Sequence, residues 1–217
     1  MWLPEGGFVY LGVKEIKVMI IVANPLYTKV NQFINNQNMN EQFIEIFNAK
    51  SLNSVMRNIN RFLDQIDLTN YELGSSIKDC RKKLKGDIGE LFALAWIQTF
   101  GSIFGLVNPK LAPRDYIGID MFSGYVKGGT TTIQVKWWEN MNEIESGKLE
   151  TLYVQASNLR PEKIVIWTTL PKHKISSRYN NFNNTNTIII DNKDIDKYYK
   201  QEGVREQFYQ TFKESFC

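Results

Sequence analysis

Apolar residues recur at helical spacing through the first half of the chain and at strand spacing through much of the second. Leu52, Val55, Met56, Ile59, Phe62, Leu63 and Ile66 fall at i, i+3, i+4 and i+7. That spacing predicts an amphipathic helix with one core-facing stripe, and Ser51 is placed to be its N-cap. Just before it, Phe43, Ile44, Ile46 and Phe47 predict a short helix. A longer one is predicted from Ser76 to Phe100, with Ile77, Leu84, Ile88, Leu91, Phe92, Ala95 and Trp96 as its buried stripe. Gly86 and Gly89 interrupt it, each about 1 kcal/mol less favourable than alanine in a helix interior. Such a pair needs a reason, and close approach of another backbone or of a ligand is the natural one.

Beyond Phe100 the pattern changes. Met121–Val126 and Thr131–Trp137 read as strands joined by a turn at Lys127-Gly128-Gly129-Thr130, since Gly-Gly between β-type runs is a hairpin signal. A polar stretch, Glu139–Lys148, follows. Lys163–Thr169 (KIVIWTT) reads as a buried strand and Thr187–Asp191 (TIIID) as another. Asp194 to Phe216 reads as a terminal helix anchored by Ile195, Tyr198, Tyr199, Phe208 and Phe212. Asparagine clusters at Asn35–Asn40 and Asn180–Asn186 read as polar loops. Val13–Ala23 is apolar but broken by Lys14, Glu15 and Lys17, which suits a strand-like lead-in and not a signal peptide. The expected organisation is a mainly helical N-terminal extension over 1–74 and an α/β core over 75–217.

Composition narrows the classes. The chain has 217 residues and is 43% hydrophobic, enough to bury a core without staples. Its two cysteines, Cys80 and Cys217, are too few for a disulfide framework, and with His173 as the only histidine a structural zinc site is disfavoured. No apolar run approaches the ~18 residues of a membrane span. A cytoplasmic protein with no membrane partner is expected. The formal charge of +3 is too mild to announce a nucleic-acid binder by itself.

The residues that carry chemistry are Glu90 on the long helix, Asp120 at the start of the hairpin, and Gln134-Val135-Lys136 on its second strand. With the turn centred near Gly128, Asp120 lies opposite Lys136 and diagonal to Gln134. Alternation puts Gln134 and Lys136 on one face and Ile133, Val135 and Trp137 on the other. Carboxylate and carboxamide oxygens are hard ligands suited to Mg²⁺. A lysine beside them stabilises charge at phosphorus or helps orient the attacking water.

Glu90, then Gly118-Ile119-Asp120, then Ile133-Gln134-Val135-Lys136 together resemble the PD-(D/E)XK nuclease superfamily, and in particular its Mrr-like branch, where glutamine precedes the lysine. The resemblance spans about residues 84–200. It implies a restriction-endonuclease-like fold, a central mixed sheet flanked by helices. It also implies a Mg²⁺ cofactor, for which Mn²⁺ substitutes. On this resemblance Asp120 is the central metal ligand, Gln134 contributes its side-chain oxygen and Val135 its carbonyl. Lys136 acts on the water or the transition state, and Glu90 is an outer ligand. Ile119 stands where the family has proline, and Gln134 is not acidic, so the site carries less negative charge.

Other residues are less specific. Arg81, Lys82, Lys83 and Lys85 read either as a solvated helix face or as phosphate contacts. Lys172, His173, Lys174, Arg178 and Tyr179 interleave basic and aromatic residues suited to a DNA backbone, with His173 simply exposed. Asp115 reads as a loop or salt-bridge residue, Trp137 as core, and Trp138 as a candidate for the cleft wall. The expected activity is a Mg²⁺-dependent endodeoxyribonuclease acting on double-stranded DNA as a homodimer, of type II-like restriction character. The alternatives are a structure-specific repair, recombination or phage DNA-processing nuclease, and a catalytically inactive nuclease-fold module for DNA binding or virion assembly.

Overall fold

A computed structural model describes residues 25–113, 116, 118–125, 128–137, 147–175, 181–182 and 185–216. The Val13–Ala23 lead-in, Asp115, Lys127, Trp138, Arg178, Tyr179 and Cys217 lie outside the described residues.

The helical stripe from Leu52 folds as predicted. Helix α3 (Leu52–Gln65) follows α1 (Pro25–Asn35), α2 (Asn40–Glu45) and a 3-10 turn at Ile46–Asn48. The Ser51 hydroxyl accepts the Ser54 amide, satisfying one donor of the first turn. Helix α4 (Ile77–Phe100) is capped in the same way by Ser76. From Leu91 to Ile97 every residue of α4 is buried, so this half is a central helix covered all round. Ile77 departs from the predicted stripe. It stands in the first turn, beyond the packed part of the helix, and is 62% exposed.

A 3-10 turn at Gly101–Phe104 leads into β1 (Leu106–Leu111), a strand that the polar Asn108-Pro109-Lys110 run conceals in the sequence. Then come β2 (Met121–Tyr125), β3 (Thr130–Lys136), α5 (Gly147–Leu159), β4 (Lys163–Thr168), a 3-10 turn at Lys172–Lys174, β5 (Asn181–Phe182) and β6 (Thr185–Ile190). The expected Asn180–Asn186 loop is therefore replaced by β5 and the start of β6, which pair antiparallel. The expected single terminal helix is two, α6 (Asn192–Tyr199) and α7 (Glu202–Phe216).

The sheet has six strands in the order β1-β2-β3-β4-β6-β5. The first three form an antiparallel meander; β3, β4 and β6 are parallel. The fold is thus α/β with a mixed open sheet. One face packs on α4, joined by the N-terminal helices and by α6 and α7 in a single hydrophobic cluster. The other face packs on α5 through Leu149, Leu152, Tyr153 and Ala156 against Ile164, Ile166 and Ile189.

The helices before residue 74 are built into the first cluster. Asp196 on α6 accepts the Leu52 amide at 2.7 Å, Tyr199 donates to the Phe47 carbonyl, and Tyr209 donates to Glu45 at 2.5 Å. At its centre Trp137 and Trp167 stack at 6.0 Å, with Phe92 edge-on to both.

Candidate active site

The hairpin sets the geometry. Met121 faces Ile133 and Gly124 faces Thr130, a register two residues away from one centred on Gly128. The loop centre lies one residue earlier, and both Gly128 and Gly129 take positive φ (93° and 87°) to close it. The continuation of this ladder sets Asp120 level with Gln134, and Lys136 is the diagonal neighbour. A shift of two preserves strand parity, so the division of faces is unchanged.

Asp120 stands just before β2, where the backbone leaves the ladder. Its own amide still donates to the Ile133 carbonyl at 2.9 Å. Its Oδ2 accepts the Val135 amide at 2.6 Å, so a carboxylate takes the position a strand carbonyl would otherwise fill. The N–H and C=O of one strand residue point to the same edge, so the Val135 carbonyl also faces the Asp120 side. The Lys136 carbonyl faces β4 instead and accepts the Thr169 amide at 3.2 Å. Gly118 makes this approach possible. Its φ is +84°, and a Cβ there would lie 2.8 Å from the Leu152 amide nitrogen of α5.

A cleft of about 720 Å³ opens between α4 and this segment, lined by Lys83, Asp87, Glu90, Tyr116 and Asp120 among others. Burial and the Asp120 charge push the Glu90 carboxyl up to about 8, with Asp87 adding to the effect and Lys83 and Lys136 opposing it. Burial likewise raises the Asp120 carboxyl, against the Val135 hydrogen bond and the charges of Lys136 and Lys83. Glu90, Asp120 and Lys136 thus act on one another electrostatically, as their spacing in sequence suggests.

Gln134 is placed differently. It is 3% exposed, and its ladder neighbour Ile166 belongs to the cluster under α5. It does not line the cleft, and its Oε1 is buried without a hydrogen-bond partner among the described residues.

Of the basic residues, Lys82 and Lys83 are exposed, and Lys83 pairs with Asp87 at 2.9 Å. Lys85 donates to Asn60 on α3 at 2.9 Å, and Arg81 pairs with Asp64 at 2.8 Å, so both tie α4 to α3. Lys172 and His173 are exposed and Lys174 half-buried, in a turn beyond β4. Asp191 holds that turn by accepting the Lys172 amide at 2.9 Å, while it also caps α6. Because Lys136 pairs with Thr168, this turn lies past the same sheet end as Lys136. Ligands of open α/β sheets bind outside that carboxyl end.

The two glycines of α4 have different explanations. A Cβ on Gly89 would meet the Trp137 side chain at 2.8 Å, so a core ring, and neither a backbone nor a ligand, occupies that space. A Cβ on Gly86 would meet nothing within 4 Å. Gly86 lies one turn before Glu90 and leaves the helix surface bare there.

The sequence reading missed Asp87, which is buried on the cleft side, and Tyr71 and Lys29, which reach it. Lys83, Asp87 and Glu90 at i, i+4 and i+7 form one helix face, and that spacing was the available signal.

The donor set suits a small hard cation. Among the described residues no three histidine, cysteine, aspartate or glutamate side chains form a metal-holding group. Here two half-buried carboxylates share one cleft, and the Val135 carbonyl adds a neutral oxygen on the Asp120 side of the strand. Mg²⁺, which retains several waters, needs few protein ligands of this kind. No helix among the described residues is long and apolar enough to cross a membrane. Compared with models of known families and with curated proteins, the chain matches none.

Proposed function

We propose that this protein is a Mg²⁺-dependent endodeoxyribonuclease with a restriction-endonuclease-like core. The observation that carries the reading is that Glu90 and Asp120 line one cleft, with Asp120 anchored on the Val135 amide and the Lys136 charge acting on both carboxyls. The order of elements is compatible with it: the helix carrying Glu90 precedes the β2/β3 hairpin, β4 ends at Thr168 with Thr169 next in the chain, and β6 leads into α6.

Bound at this site, Mg²⁺ supplies a Lewis acid for the phosphoryl oxygen and lowers the pKa of water. The chain's residues do the rest. Asp120 and the Val135 carbonyl would hold the ion, with Glu90 as an outer ligand from the same cleft, whereas Gln134, which does not line that cleft, takes no part. Lys136 sets positive charge beside the phosphorus, where negative charge develops as the water oxygen bonds to it. One ester bond breaks, and its oxygen leaves as an alcohol carrying a proton. Lys82, Lys83, Lys172 and Lys174 provide cationic contacts for the phosphates of a duplex on either side. Two cuts in a duplex suit a homodimer.

Plasmid cleavage with Mg²⁺ tests this, comparing wild type with Asp120→Asn and Lys136→Ala. The expected result is nicking and linearisation by wild type and loss of at least 100-fold in each variant, in line with the removal of one strong transition-state contact (about 10²–10³). Equal cleavage by all three, or none by any, refutes the assignment.

A further inference from the structure

Asp87 is the most buried charged group beside the cleft, 1% exposed, and the chemistry above gives it no task. Its Oδ2 accepts the Tyr71 hydroxyl at 2.5 Å, and its Oδ1 lies 2.9 Å from Lys83 Nζ. Lys29 Nζ is 3.9 Å from the same carboxylate, but pairs more closely with Glu72 at 2.6 Å and lies 4.3 Å over the Tyr71 ring. Two groups from two other segments therefore support one carboxylate, which in turn pairs with one lysine.

That lysine differs from its neighbours on α4. Arg81 and Lys85 turn to α3, whereas Lys83 lines the cleft with Glu90 and Asp120. Its side chain is 50% exposed. A half-exposed lysine has about 2 kcal/mol of rotamer entropy to lose on being ordered, and pairing with a fixed buried carboxylate restricts it beforehand. Its charge already acts on both Glu90 and Asp120.

Resting on the nuclease reading, we propose that Lys83 is a phosphate-binding residue of the cleft and that Asp87 is the positioning residue that holds it over the substrate strand. Tyr71 and Lys29 keep Asp87 in place. The two residues then have separable effects. Lys83 contributes a charge, felt in binding; Asp87 contributes a position, felt only when the bound strand reacts.

The test uses the full chain with a defined DNA duplex. Affinity is measured against salt with Ca²⁺ present, and single-turnover cleavage with Mg²⁺ at saturating enzyme. Lys83→Met is expected to reduce the slope of log affinity against log salt by about 0.9, one phosphate contact, and to slow cleavage at least tenfold. Lys83→Arg restores the slope. Asp87→Asn, nearly isosteric, leaves the slope unchanged and slows saturated cleavage at least tenfold. Tyr71→Phe, which removes one of the two supports of Asp87 and leaves the other, keeps the slope unchanged and slows saturated cleavage less than Asp87→Asn does. An unchanged slope in Lys83→Met overturns the proposal, and so does a loss of rate in Tyr71→Phe equal to that in Asp87→Asn. Should Asp87→Asn not fold, the Lys83 pair decides. Absence of Asp120-dependent cleavage in wild type is a distinct result, and it removes the nuclease reading itself.

Discussion

Glu90 offers a direct measure of how the site is built. Its carboxyl is pushed up to about 8, because the half-buried cleft wall strips it of water and Asp120 stands nearby, against the usual 4.5. A carboxyl whose folded pKa is raised binds protons more tightly in the folded state. Its stabilising contribution is complete below pH 4.5 and is lost as pH rises through about 8. At about 1.4 kcal/mol per pH unit, that interval corresponds to roughly 5 kcal/mol as an upper bound. The repulsion is shared with Asp120 and water reaches the cleft mouth, so about half of it falls to Glu90 alone.

Glu90→Gln removes the charge and keeps the shape. Without metal, the variant is expected to match wild type near pH 5 and to exceed it by about 2–3 kcal/mol at pH 8.5. That is about 5–10 °C in Tm for a chain of this size. Mg²⁺ bound as proposed would relieve the same repulsion, so it is expected to raise the wild-type Tm more at pH 8.5 than at pH 5. Thermal unfolding by circular dichroism, with EDTA or with Mg²⁺ at both pH values, reads all of this. An offset between the two proteins that is constant from pH 5 to pH 8.5 refutes the reasoning, since Glu90 is then an ordinary surface carboxyl.

Other expectations concern the backbone that carries the site. Gly86→Ala meets no atom and is expected to gain up to about 1 kcal/mol in urea unfolding, yet to slow cleavage if the strand crosses that bare surface. Gly89→Ala pushes against Trp137 and is expected to lose about 1–3 kcal/mol by the same measurement. Gly118→Ala strains a positive φ and meets α5; we expect a loss of about 1–3 kcal/mol and a weakened Mg²⁺ isotherm, because Asp120 is displaced. Ser51→Ala removes the cap of α3 and is expected to cost about 1 kcal/mol with cleavage unchanged.

The elements legible in the sequence were those with a one-sided burial period, a long apolar run or a Gly-Gly turn signal. Helix α3 shows six buried positions at helical spacing and its own cap, and α4 and the β2/β3 hairpin are nearly as plain. The missed elements lack such a period. Strand β1 carries Pro109 and Lys110, with Asn108 at φ +51°, as suits an irregular edge strand that pairs on one side only. Helix α5 was passed over because Glu139–Lys148 precedes it without a cap signal. The division at residue 74 follows a change of periodicity along the chain, while the core runs across it through Phe47, Phe92 and Phe212.

The site divides along the same line. Asp120 and Lys136 belong to a hairpin whose alternation depends only on parity, so an error of two residues in register left their relation almost intact. Asp87 depends on tertiary contacts with Tyr71 and Lys29, 16 residues away for Tyr71 and on a separate helix for Lys29. No local pattern marks it beyond its place between Lys83 and Glu90. The relation of Asp120 to Lys136 was therefore readable from one hairpin, whereas the contacts of Asp87 were not. A ligand set is written into short segments, because each donor must emerge from a strand end or a helix face at fixed spacing. The residues supporting it are chosen by packing between segments far apart in the chain. In this protein that packing is provided by α1 and the Tyr71 segment, which lie before the α/β core and wall its cleft through Pro25, Leu26 and the Tyr71–Asp87 bond. The N-terminal helices therefore belong to the site's support as much as the sheet does.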